Sequence, residues 1–164
     1  MREECPHCNN RLVLPYGDPN SDILLVGEYP GKSEMNTGKP FTGESGEIFD
    51  EEMMRVGIDI WSCRLANLWL HPQNKNESCF MMGVQTVTKE MEGRKVLLMG
   101  SELSNYFIED KIMAWTGMEV KSPLFPRSVQ FVMMAPNPAM ALHSPAGEIR
   151  LAFEKFKLRC DKEE

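Results

Sequence analysis

The sequence predicts an α/β protein with a mostly parallel sheet of four strands at its centre. Two observations lead there. Short apolar runs, two of them ending at a glycine, recur along the chain in the form of buried parallel strands. Between them lie stretches with helical periodicity, so strands and helices alternate. A length of 164 residues, 42% hydrophobic and 26% charged, suits a single domain over residues 1–164 and argues against a disordered or fibrous protein.

Residues 22–27 form the first apolar run, closing on Gly27. Residues 46–57 follow with helical spacing and a terminal glycine, Gly57. Residues 64–69 read as a second strand of less regular pattern, and residues 84–92 as a helix. Residues 95–100 repeat the form of the first strand and close on Gly100; Ser101 is the expected N-cap of a helix running through Ile108. A fourth strand at 129–134 is stopped by Pro136 and Pro138, and a helix is expected over 146–159. Ligands of such sheets bind beyond the carboxyl ends of the strands. Chemistry is therefore expected after Gly27, after Asn67 and after Met134.

The formal net charge is −6, unevenly placed: residues 1–60 carry 5 Lys and Arg against 12 Asp and Glu, and residues 111–160 carry 7 against 3. That excludes a wide nucleic-acid footprint but leaves room for a small basic contact in the second half. No apolar run reaches the ~18 residues of a membrane span. With a polar N-terminus, neither a membrane partner nor a secretory leader is expected, and the cytoplasm is the expected location. The 13 methionines read as flexible core filler.

The segment 27–46 contains Gly31, Lys32 and Ser33, a fragment of a phosphate-binding loop. Only three residues separate Gly27 from Gly31, and Pro30 lacks an amide proton, so the amide cradle of that loop cannot form. The whole segment, GEYPGKSEMNTGKPFTGESG, resembles the first motif of the uracil-DNA glycosylase superfamily, in its iron–sulfur, family 4 branch. Every glycine and proline of that pattern stands at matching spacing over about 20 residues. Further correspondences fall at Ala66 to Pro72, at Leu98 to Gly100, and at Asn137, Pro138 and Ala139. The resemblance covers roughly residues 5–156 and implies a three-layer α/β/α sandwich.

It also implies chemistry for particular residues. Phe41 would stack on a base flipped out of DNA, and Asn67 would read uracil, because one amide offers both an acceptor and a donor. Glu28 and Glu34 match acidic positions; they would orient water, stabilise the positive charge developing on the sugar, or fix the loop. Backbone amides around Tyr29 and Gly31 would contact uracil O2. Asn137 stands where the family carries a catalytic histidine, and Tyr29 where it carries a small residue. The loop of Pro138, Ala139, Met140, Leu142 and His143 would enter the minor groove, with Met140 or Leu142 as a wedge.

Cysteine supplies the remaining signal. There are five, an odd count that argues against a disulfide framework. Two residues separate Cys5 from Cys8, which lets both thiolates reach one ion. In the resembling family four cysteines hold a [4Fe–4S] cluster, and the corresponding positions here are Cys5, Cys8, His71 and Cys79. Three thiolates and an imidazole are competent for such a cluster and equally for Zn2+. Either centre would staple the arm of residues 1–20 to the domain, while Cys63 and Cys160 read as structural. The resemblance thus implies a glycosylase acting on DNA that contains uracil or a modified base. A non-catalytic module of the same fold, binding DNA or a replication or repair protein, is the alternative.

Overall fold

The computed structural model describes residues 3–109, 115–142 and 147–162. The described elements are β1 (Tyr16–Gly17), β2 (Ile23–Gly27), α1 (Lys32–Thr37), α2 (Glu44–Arg55), β3 (Arg64–Asn67), α3 (Glu77–Met91), β4 (Lys95–Met99), α4 (Ser101–Phe107), β5 (Glu119–Val120), β6 (Phe131–Ala135) and α5 (Gly147–Asp161). Short 3-10 helices cover Ile60–Ser62 and Pro138–Leu142. The strands form one sheet in the order β1-β3-β2-β4-β6-β5.

Four strands, β3-β2-β4-β6, are parallel and are the four expected from sequence. The sheet itself has six, because β1 and β5 add antiparallel two-residue edges. Segments that short carry no readable alternation.

Successive side chains of the inner strands go to opposite faces. Leu24 and Val26 of β2, Val96 and Leu98 of β4, and Val132 and Met134 of β6 pack against Val84, Val87 and Met91 of α3 and Leu103 and Phe107 of α4. Leu25, Leu97, Phe131 and Met133 pack on the other face against Phe49 and Met53 of α2 and Phe153 and Phe156 of α5. The protein is thus an α/β/α sandwich of three layers. Both faces of each inner strand are buried, which is why these strands read as continuous apolar runs. Five methionines (Met53, Met91, Met99, Met133 and Met134) are fully or nearly buried in these layers, as filler.

Two helices differ from expectation at their starts. Helix α3 begins at Glu77, earlier than residue 84, because the Asn76 side chain accepts from the amides of Ser78 and Cys79 and caps it. Helix α4 is capped not by Ser101, its first helical residue, but at Gly100, and a carboxylate from elsewhere in the chain takes its amide (below).

The chain leaves β2 towards β3 on one side of the sheet and reaches β4 on the other. A crevice is expected where neighbouring connections diverge in this way.

Candidate functional site

At the carboxyl ends of β2 and β3, and just beyond β6, Gly27, Asn67 and Asn137 surround a cavity of about 160 Å3. Glu28, Tyr29, Gly31, Glu34, Phe41, Ser45, Pro138 and Ala139 complete its lining. The volume is below the roughly 300–1,000 Å3 of a drug-sized ligand site and suits one small ring. Tyr29, 47% exposed, stands at its edge without filling it.

Gly27 and Asn67 are paired across β2 and β3. A Cβ at Gly27 would stand 2.7 Å from Asn67 Oδ1 and 2.9 Å from the Phe41 ring, so the bare backbone here lets ring and amide face one another. Phe41 has φ 59, a left-handed conformation rare for a bulky side chain and seen where function or packing over-determines the backbone. Its ring is backed by Phe49, with centroids 4.8 Å apart. A Cβ at Gly46 would lie 2.2 Å from the Phe41 carbonyl oxygen, so that glycine admits the turn. Asn67 is only 4% exposed, and no hydrogen bond of its side chain occurs among the described residues; its amide opens on the cavity, whereas the fully buried side-chain donor without a partner among them is Trp69 Nε1. Buried polar groups are ordinarily paired, so an unengaged amide lining a cavity is a group held ready for a ligand.

Glu28 is arranged differently. Asn137 Nδ2 donates to its Oε1, and the Glu102 amide in the first turn of α4 donates to its Oε2 at 2.9 Å. This is the carboxylate that caps α4. Asn137 Oδ1 in turn accepts from the Ala139 amide at 2.9 Å, so both ends of the asparagine are engaged. Gly100, at φ 121, makes the arrangement possible, since a Cβ there would come within 2.4 Å of the Glu28 carboxyl carbon. Burial, and then the charge of Glu28, push the Glu102 carboxyl above its ordinary range. Glu34 Oε1 accepts from the Gly31 amide at 2.8 Å, closing the start of α1 on itself. The Gly31 amide is therefore turned to its own loop rather than into the cavity.

Beyond β6, Pro138 and Ala139 line the cavity at the start of the 3-10 helix that continues through Met140, 40% exposed, to Leu142. His143 lies outside the described residues. The basic excess of this half is partly neutralised within the fold. Arg150 donates to Glu52 at 2.7 Å, Arg159 to Glu119 at 2.7 Å and Lys157 to Asp161 at 3.1 Å.

A second cluster stands where the N-terminal arm meets the β3–α3 connection. The donor atoms of Cys5, Cys8, His71 and Cys79 all lie within 4.8 Å of one another. Cys5 and His71 and Cys79 are at most 1% exposed, packed with Leu12, Trp69 and Leu70. His71 Nδ1 lies 2.8 Å from the Pro72 carbonyl oxygen, which only accepts, so Nδ1 carries the proton and Nε2 presents a lone pair. These four side chains can hold a metal. Cys63 and Cys160 stand apart from the cluster; burial pushes their thiols up to about 12 and about 11, which leaves them inert.

Sequence reasoning missed Gly27 as the wall between ring and amide, Ser45, and the Gly100–Glu102 corner. Gly100 was visible as a strand-terminal glycine, but nothing local links it to a carboxylate 72 positions earlier in the chain.

A profile of the family described as "Uracil DNA glycosylase superfamily" matches residues 14–159. A "Type-4 uracil-DNA glycosylase" of Pyrobaculum aerophilum is 26% identical over 108 residues, covering 60% of this chain and 55% of that protein. A "Type-4 uracil-DNA glycosylase" of Thermotoga maritima is 38% identical over 66 residues, 37% of this chain and 34% of that one. The chain thus spans about half or less of the length of the curated relatives it matches.

Proposed function

The chain belongs to the uracil-DNA glycosylase superfamily, and on that premise we propose that it is a DNA glycosylase of base excision repair, hydrolysing the N-glycosidic bond of uracil or a related modified base flipped out of DNA. The observation that carries this reading is the Asn67 amide, buried, without a partner among the described residues, and facing the Phe41 ring across a bare Gly27.

In this reading the flipped base stacks on Phe41. Asn67 Oδ1 accepts from uracil N3–H and its Nδ2 donates to O4, a pairing that cytosine's donor and acceptor pattern opposes. Water oxygen bonds to C1′ as the C1′–N1 bond breaks, the electron pair departs on the uracil ring, and the water proton passes to a base or to solvent. The Glu28 carboxylate supports the positive charge that grows on the sugar and orients the water, held in place by Asn137 and the start of α4. Glu34 fixes the loop through Gly31. The second hydrogen of Asn137 Nδ2 remains for uracil O2, where negative charge accumulates. Pro138 to Leu142 and, beyond them, His143 form the DNA-facing loop.

Cys5, Cys8, His71 and Cys79 hold a metal centre whose part is to fasten the N-terminal arm; no chemical step passes through it. Family resemblance names a [4Fe–4S] cluster for these positions, and the donor spacing argues for a different centre, as set out below.

The test is incubation with uracil-containing single- and double-stranded oligonucleotides followed by alkali. Strand cleavage at the uracil is expected. The engagement of both ends of Asn137 favours one second reading, a non-catalytic DNA-binding member of the superfamily. Retained binding with no cleavage at enzyme excess would establish that reading instead.

A further inference from the structure

We propose that Cys5, Cys8, His71 and Cys79 bind one tetrahedral Zn2+ ion in place of a [4Fe–4S] cluster. The inference rests on donor geometry and is independent of the glycosylase reading.

Four ligands of a single ion must lie close to one another. Zn–S bonds of about 2.3 Å and Zn–N bonds of about 2.0 Å in a tetrahedron set ligand–ligand edges of about 3.8 Å between sulfurs and about 3.5 Å between sulfur and nitrogen. Here Cys5 Sγ and Cys79 Sγ are 3.7 Å apart, Cys8 Sγ and His71 Nε2 are 3.4 Å apart, and no pair exceeds 4.8 Å. A four-iron cube imposes the opposite requirement. Each ligand binds a different iron at a separate corner and points outward from it, so the four donors are held apart by the whole cube. Two donor pairs in contact and none beyond 4.8 Å is a spread that fits the edges of one tetrahedron better than the corners of a cube.

The donor set agrees. Zn2+ takes imidazole and thiolate alike in closed Cys3His sites. The Pro72 carbonyl holds the His71 ring with Nε2 towards Cys8, the orienting contact expected behind a metal-bound imidazole. The sulfurs also receive N–H groups: Asn10 Nδ2 to Cys8 at 3.2 Å, the His7 amide to Cys5 at 3.4 Å, and Asn74 Nδ2 to Cys79 at 3.7 Å. Such donors support thiolate charge. On binding, Zn2+ displaces the three thiol protons to solvent, leaving a centre of net charge −1 that these N–H groups face.

The experiment is elemental analysis and acid-labile sulfide determination on the full chain purified anaerobically, with absorption spectra before and after exchange of the metal for Co2+. One zinc per chain, no sulfide, no visible absorption, and ligand-field bands of tetrahedral cobalt on exchange are expected. A chelator should lower the unfolding temperature, and Zn2+ should restore it where iron and sulfide do not. Because Cys79→Ala can prevent folding, His71→Cys serves as the second variant: it should keep one zinc, now on four sulfurs, with the cobalt bands shifted. Four irons and four sulfides per chain would overturn the proposal, as would a folded protein whose unfolding temperature ignores both chelator and zinc. Uracil excision is not a readout here, so an inactive protein with one zinc would overturn the glycosylase reading and leave this one standing.

Discussion

The cavity and the cysteine–histidine cluster are served by one short segment, Asn67 to His71, and are arranged in opposite ways. In the cavity Asn67 offers an amide with no partner among the described residues, beside a backbone kept bare at Gly27. In the cluster every donor is turned towards another donor and held from behind by an amide or a carbonyl. One is an open site, stable enough to wait for a ligand. The other is closed, four donors that can hold a metal and that would gain stability on binding one. The difference separates two kinds of effect: damage to the cavity should reach function with the fold intact, and damage to the cluster should reach the fold first.

The largest effect should come from the cluster. Cys79→Ser removes a buried ligand from the start of α3, and since closed metal sites contribute several kcal/mol of folding free energy, a loss of about 3–5 kcal/mol is expected in denaturant unfolding. An unchanged midpoint would mean the cluster does not fasten the arm. Next is Asn67→Ala. Two hydrogen bonds to the base at ~1–1.5 kcal/mol each correspond to about a hundredfold fall in kcat/KM on uracil substrates, with little change in unfolding. A large loss of stability with activity kept would erase the contrast between the regions. Gly100→Ala probes the corner behind Glu28. The added methyl must displace a carboxylate and adopt a backbone angle suited to glycine, so kcat should fall about tenfold with KM nearly unchanged. Equal effects on both would place Glu28 in base binding instead.

The smallest expected effect lies away from both regions. Burial alone raises the Glu90 carboxyl, but hydrogen bonds and charge from Arg64, at 3.0 Å, and from Arg94, at 2.7 Å, outweigh it and hold the group below its ordinary value. A carboxyl with a depressed value in the folded state stabilises above its unfolded value and loses that contribution as pH falls through the folded one. Glu90→Gln should therefore cost about 1 kcal/mol at neutral pH, where exposed pairs give less and buried ones more, and the deficit should vanish in acid. Urea unfolding of both proteins across that range measures it.

The sheet was legible because burial on both faces makes strand residues continuously apolar, as at 23–27 and 95–99. The start of α3 carries its cap in Asn76, yet Glu77 to Gly83 lacks the clean apolar stripe that marks a helix in sequence. At the cavity, Phe41 came from the resemblance of a motif 20 residues long, and Asn67 from the separate, shorter correspondence at Ala66 to Pro72. What spacing cannot carry is contact across the sheet. That Glu28 meets Glu102 and Asn137 depends on strand order and on side-chain direction. Composition misled in one respect: the basic excess of residues 111–160 is partly internal charge balance rather than surface offered to phosphate.

Three residues separate Asn67 from His71, and along that path the amides of Leu68 and Trp69 bond to the carbonyls of Gly27 and Glu28 at 2.9 Å. The two regions therefore share a mechanical track. If the cluster holds its proposed metal, a preparation made in metal-poor medium would loosen the far end of that track, and with it the register of Asn67, the amide proposed to read the base. Under the proposed function, such material would look like an enzyme with no substrate, when it had only been grown without the right supplement.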